Sequence, residues 1–370
     1  MRITASGSVT DAPAMFPAAA RTREVIVLAY STVPDGWPGG EVKVVRSEDE
    51  GATWSHPIAG FSPRAGEDAV LGAVGLTCLA DGTLLLPLNT VTWGEDAKAS
   101  GRRLGLRLPR SSDGGRSWED DVAVELPGFD RPAVYGELIE RPDGELLWPV
   151  WGSMRAGERW RSAILSSRDR GKSWAVKGTV AFDPNARLRG PYVDSGDATL
   201  TRVTQQVDDP NFRPHDSTDG FSETSVLELA DGRLFAVIRQ QGVGGDDRLT
   251  MYGAWSRDGG TTWTSHRSLG FSGTSPLLRR GPGDSLLLFS RRHLPQGSTM
   301  SPAVELRQSH DEGASWHEIG VLREPNGAAL TAEYQCGYPA AVARPDGLLV
   351  FFYSLLAGRG RFIGWNRVEF

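Results

Sequence analysis

Cysteine, long apolar runs and positive charge are all scarce in this 370-residue chain. The two cysteines, Cys78 and Cys336, are far apart and stand at no metal-ligand spacing. They allow one disulfide at most and read best as buried, reduced thiols; no metal and no other cofactor is implied. No stretch approaches the ~20 apolar residues that a membrane helix needs. The segment Met1–Gly7 has no apolar run of signal-peptide length, which makes the cytoplasm the default location. Lys and Arg number 40 against 46 Asp and Glu, a formal net charge of −6. A nucleic-acid partner, which would ask for a basic stripe, is therefore not expected. A local arginine cluster could still hold an acidic ligand. Helix-period segments are absent too, and Tyr is outnumbered by Trp, 7 to 12.

The tryptophans have a reason. The pattern S-x-D-x-G-x-[ST]-W occurs from Ser47 to Trp54, Ser111 to Trp118, Ser167 to Trp174, Ser256 to Trp263 and Ser309 to Trp316. Its aspartates are Asp49, Asp113, Asp169, Asp258 and Asp311. In such a stretch the Asp accepts backbone N–H bonds to close a turn. The Gly supplies a left-handed backbone, and the hydroxyls tie the turn to itself. The Trp buries its face against a neighbouring unit while its N–H finds a partner. These are structural turns rather than ligand sites.

A second repeat runs out of phase with the first. Apolar strands meet at Asp81-Gly82, Asp143-Gly144, Asp231-Gly232 and Asp346-Gly347, the strongest short hairpin signal. Gly283-Asp284-Ser285 and Arg21-Thr22-Arg23-Glu24 fill the same slot in two further units. Each unit then reads strand, hairpin turn, strand, loop, strand, Asp turn, strand. Six such units predict one all-β domain over residues 1–370, a six-bladed β-propeller. The last unit lacks an outer strand, and roughly the first ten residues are expected to supply it, closing the ring and covering a sheet edge. The excess between Asp169 and Asp258, from Val176 to Gly220, is rich in Asp, Pro, Asn and Arg and reads as a long functional or decorative loop.

In a propeller the first strand of each blade lines the central channel. Counting back eight residues from the hairpin Asp gives Tyr338 in the sixth unit, Glu223 in the fourth and Tyr135 in the third, with Glu137 two residues on along the same face. Polar residues there are not needed for packing. Trp93 and Trp151 follow such hairpins and could stack on a sugar, and His215 could reach over the channel mouth.

The five turns resemble the Asp-box of the sialidase superfamily, a likeness that covers essentially the whole chain. Gly337 to Gly347 looks like the segment that carries the nucleophilic tyrosine of sialidases, and Ser222 to Gly232 like the one that carries its partner glutamate. Arg239 stands at the spacing of a substrate-binding arginine, and Asp35 lies where the family keeps its acid/base aspartate. The resemblance implies a glycoside hydrolase, a retaining exo-glycosidase acting on a glycoside or oligosaccharide. Tyr338 would attack the anomeric carbon with Glu223 as base, because a phenol of pKa about 10 needs one at neutral pH. Asp35 would act as acid and then base. Arg239, joined by Arg248, would hold an acidic or hydroxyl-rich sugar by forked hydrogen bonds.

The sequence also departs from the family. Ala14-Met15-Phe16-Pro17 has no arginine where a Phe-Arg-Ile-Pro-like segment would supply one, and Ser298 to Pro302 has none either. Arg64, Arg291 and Arg292 are possible substitutes, and Arg307 sits beside the fifth Asp turn. Three other readings stay open. Glu137 and Glu223 could form the carboxylate pair of a glycosidase resembling the arabinan-degrading propellers. Tyr338 or His215 could be the base of a polysaccharide lyase. A carbohydrate-binding propeller without catalysis is the fourth possibility.

Overall fold

In the computed structural model the described residues are 1–10, 12–33, 39–72, 75–93, 102–126, 128–129, 131–155, 158–186, 220–243, 249–292, 303–325, 335–356 and 360–370. Among them there are strands and a short 3-10 turn at Pro282–Asp284, but no α-helix; no helix among them is long and apolar enough to cross a membrane.

The strands form antiparallel sheets in chain order. The first holds Met15–Arg21, Ile26–Ser31, Val42–Ser47 and Ala59–Phe61. The second is split into two three-stranded pieces, one on Ala69–Gly72, Leu88–Trp93 and Arg102–Arg107, the other on Thr77–Cys78, Leu84–Leu85 and Arg110–Ser111. The third holds Arg131–Val134, Leu146–Ser153, Arg161–Ser167 and Ala175–Phe182, with Ile139–Glu140 as an added pairing segment. The fourth holds Gly220–Glu228, Leu234–Gln241, Thr250–Ser256 and Arg267–Ser272. The fifth holds Thr274–Arg280, Leu286–Arg291, Val304–Ser309 and His317–Val321. In the sixth, Gln335–Arg344, Gly347–Leu356 and Gly360–Glu369 are followed by Arg2–Ser8, which pairs antiparallel with Gly360–Glu369. The N-terminal segment thus supplies the outer strand that the last unit lacks. The insertion after Asp169 begins later than its composition suggested, because Ala175–Phe182 is the regular outer strand of the third sheet.

Apolar layers lie between successive sheets. Val27 and Val44 of the first pack with Leu84 and Leu88 of the second, and Leu85 and Leu106 of the second with Trp148 and Leu165 of the third. Ile164 of the third meets Ala236 and Ala254 of the fourth, and Phe235 of the fourth meets Leu278 and Leu288 of the fifth. Phe289 of the fifth packs with Phe352 of the sixth, and Phe351 of the sixth with Leu28 and Tyr30 of the first. The sheets therefore pack in sequence, and the last packs on the first.

All five Asp turns have one geometry. In the first, Ser47 Oγ and Thr53 Oγ1 donate to the Asp49 carboxylate at 2.8 and 2.6 Å, the Thr53 N–H adds a bond of 2.8 Å, and the Gly51 N–H donates to Ser47 Oγ. Asp113, Asp169, Asp258 and Asp311 repeat this. The indole N–H groups of Trp118, Trp174, Trp263 and Trp316 donate to the motif's glycine carbonyl. Trp54 departs from the expectation: its buried N–H has no acceptor among the described residues, and its ring stands edge-on to Phe351 of the sixth sheet.

Candidate active site

The first strands of the sheets are irregular at one level. Pairing slips by a β-bulge between Met15 and Ala18, Phe221 and Thr224, Thr274 and Leu277, and Gly337 and Ala340. In the second and third sheets the first strand is interrupted, between Gly72 and Thr77 and between Val134 and Ile139. Three of the bulges carry an Xaa-Pro pair whose first residue has a left-handed backbone: Phe16 (φ 52°), Ser275 (φ 56°) and Tyr338 (φ 49°). Such a conformation costs of order 1–3 kcal/mol for a non-glycine residue. A bulge re-aims a side chain out of the alternation of the strand, and here the re-aimed groups meet.

The meeting point is Glu223, which is 5% exposed. Its Oε1 accepts a 2.6 Å hydrogen bond from the Tyr338 hydroxyl and one of 2.8 Å from Arg239. Its Oε2 accepts the Ser275 N–H at 3.0 Å. Tyr338 is partly exposed, with Phe16 edge-on at 4.7 Å, Tyr135 at 6.0 Å and Tyr353 at 6.1 Å between ring centroids. Residues from the first, third, fourth, fifth and sixth sheets thus surround one phenol–carboxylate pair. The Arg239–Glu223 ion pair balances charge within the cluster, and the short O–H···O contact offers the phenol proton a direct path to a carboxylate.

Tyr135 is placed differently. It is 3% exposed, and its hydroxyl donates to the Pro276 carbonyl at 3.0 Å. Burial, and then the negative charge of Glu223, hold its pKa well above the ordinary tyrosine value. Glu137 pairs with Arg279, which also donates to the Ala341 carbonyl. Burial pushes the Glu137 carboxyl up and Arg279 opposes that shift. Its exposed part faces a cavity of about 500 Å³ that reaches the hairpin turn at Ala230 and Gly232. Trp151 lies against Trp160 at 4.5 Å. Asp35, Arg248, His215 and the side chain of Trp93 lie outside the described residues.

Two of the possible substitute arginines are committed elsewhere. Arg64 pairs with Asp121, and Arg292 with Glu305 and Glu318. Arg307 pairs with Glu305 and lies over Phe271. Arg291 runs past Gly337: a Cβ there would come within 3.1 Å of its Cδ and 3.3 Å of Tyr353, so the glycine makes room for it. Sequence reasoning missed Arg361. No carboxylate pairs with it among the described residues, its Nε is buried without an acceptor, and burial pulls its pKa below the ordinary arginine value, opposed by the adjacent Tyr353. It missed Ser275 and Phe16 as well, although the repeated Xaa-Pro pair at Phe16-Pro17, Ser275-Pro276 and Tyr338-Pro339 was a usable signal. No group of three His, Cys, Asp or Glu able to hold a metal occurs among the described residues.

A protein of unknown function from Dyadobacter fermentans has a similar structure, with a TM-score of 0.74 at 22% identity over 100% of this chain and 98% of that one. Trypanosoma rangeli sialidase in complex with the inhibitor DANA gives 0.64 at 16% identity, over 99% of this chain and 58% of that one. The Hadza microbial sialidase Hz136 gives 0.63 at 18%, over 96% and 66%. This chain therefore spans between half and two thirds of the length of those sialidase chains, and what it shares with them is the fold. No curated protein matches the chain. The family model of the BNR repeat-like domain matches residues 94–351, more than half of the sequence, and the chain belongs to that family.

Proposed function

We propose that the protein is a retaining exo-glycosidase acting on a terminal acidic sugar of a glycoside or oligosaccharide. In this reading the sheets are the six blades of one closed propeller over residues 1–370, with Arg2–Ser8 clasping the ring. The observation that carries the reading is the 2.6 Å hydrogen bond from Tyr338 to Glu223, set among five sheets.

The Tyr338 oxygen attacks the anomeric carbon as its proton passes to Glu223 Oε1. The bond to the leaving oxygen breaks, and that oxygen takes a proton from Asp35. A water molecule, deprotonated by Asp35, then displaces the tyrosine, and the phenolate recovers its proton from Glu223. Two displacements retain the anomeric configuration. Arg239 pairs with Glu223 and balances charge in the site before the attack. Arg361, a cation with no carboxylate partner among the described residues, favours a sugar bearing an anionic group.

The two-carboxylate alternative is less well supported, because Glu137 is tied to Arg279 and faces the cavity beside Ala230 and Gly232. A carbohydrate-binding propeller is the second reading, favoured by the missing arginine in Ala14–Pro17. A panel of aryl glycosides (sialoside, uronide and arabinoside) separates them, with product stereochemistry read by NMR. The expected result is release from an acidic member with retention, abolished by Tyr338→Phe. Saturable binding of a glycan with no release from any glycoside would support the binding propeller instead.

A further inference from the structure

We infer that Tyr135 is a positioning residue that acts on Glu223 through the Ser275–Pro276 bulge. The inference rests on the catalytic reading of Tyr338 and Glu223. The bulge belongs to the fifth sheet and has two contacts with the site. The Ser275 N–H donates to Glu223 Oε2 at 3.0 Å, and the Pro276 carbonyl accepts the Tyr135 hydroxyl at 3.0 Å. One peptide segment thus connects a phenol of the third sheet to the carboxylate of the fourth.

The bulge does not hold this shape by local preference. Ser275 has φ 56° and is followed by proline, and a non-glycine residue there is strained unless its surroundings fix it. Its side chain is buried beside the Tyr135 hydroxyl, which pins the next carbonyl from across the first strands. Without it, Ser275 can relax toward negative φ, and its N–H turns away from Glu223.

Among the described residues, the charged and titratable groups around Glu223 are Arg239 on its own sheet, Tyr135 on the third and Tyr338 and Tyr353 on the sixth; the fifth sheet contributes the neutral Ser275 N–H. Arg239 and Tyr338 both bond Oε1. The Ser275 N–H is the donor to Oε2 among the described residues. A carboxylate that loses a donor ionises at higher pH, so its use as a base moves upward in pH.

The test uses the full chain, the aryl glycoside it cleaves, and the variants Tyr135→Phe, Tyr135→Phe/Ser275→Gly and Tyr338→Phe. For Tyr135→Phe the expected result is a fall in kcat of roughly tenfold and an upward move of the acidic limb of kcat/KM by about one pH unit, with KM little changed. Adding Ser275→Gly restores part of both, since glycine adopts φ near +56° without strain. A packing role alone would lower Tm and leave the limb in place. An unmoved limb in Tyr135→Phe, or no recovery on adding Ser275→Gly, overturns the inference. Full activity in Tyr338→Phe would instead overturn the catalytic reading on which it rests.

Discussion

The Tyr338 hydroxyl and Glu223 Oε1 lie 2.6 Å apart although 115 residues separate them in the chain. The contact exists because the first strands of the fourth and sixth sheets bulge at one level and turn both side chains toward a common space. Replacing Glu223 by glutamine keeps the shape of that contact and removes its charge. Turnover is expected to fall by about 10²–10⁴-fold, the usual worth of a positioned base. The same change breaks the Arg239–Glu223 ion pair and should cost of order 1–3 kcal/mol in stability. Steady-state kinetics and denaturant unfolding of Glu223→Gln measure both.

Arg361 gives a prediction with a different signature. Its charge is half-enclosed and unpaired by any carboxylate among the described residues. Arg361→Met should leave the unfolding midpoint unchanged or raise it, because a desolvated cation is removed. It should also raise KM for an acidic glycoside by about tenfold and leave a neutral one unaffected. Unfolding curves and paired KM values check the two halves.

The Asp turns predict how the protein responds to acid. The hydroxyl and backbone N–H bonds around Asp258 and Asp311 bring their pKa down to about 2; Asp113 is held at about 2 by the same bonds, working against the partial burial of its carboxyl. An unfolded aspartate titrates near 3.9. Their contribution is therefore complete above about pH 4 and is lost as pH falls through 2. Tm measured between pH 5 and 2 should drop steadily, and Asp113→Asn should flatten that slope without changing the rate at neutral pH.

Cys336 should be silent toward thiol reagents. It is fully buried in the sixth sheet, and burial pushes its thiol up to about 12. Thiolate is the reactive form. Iodoacetamide at pH 8 should leave Cys336 unlabelled in the native protein and label it in denaturant, as peptide mass spectrometry will show.

Much of this was readable from residues alone. Five Asp turns and the Asp-Gly hairpins carry their chemistry within eight residues, so they survive without knowledge of the neighbours. Tyr338 and Glu223 stood at equal distances from their hairpin aspartates. Other features depended on packing. The roles of Tyr135 and Glu137 turn on partners 141 and 142 residues away, Pro276 and Arg279, which no local pattern reveals. Arg361 is notable for the absence of a carboxylate partner among the described residues, a property of the assembled sheets. Ser275 acts through its backbone N–H, so its side chain gives no hint.

The most direct measurement is to trap the covalent step. The protein is incubated with a 2-fluorinated activated form of the glycoside it cleaves, which slows the second displacement, then digested and mapped by mass spectrometry. The account predicts one glycosyl group on the peptide that contains Tyr338 and none in Tyr338→Phe. Label on a carboxylate such as Glu223 or Glu137, or turnover that proceeds unchanged in Tyr338→Phe, would contradict it.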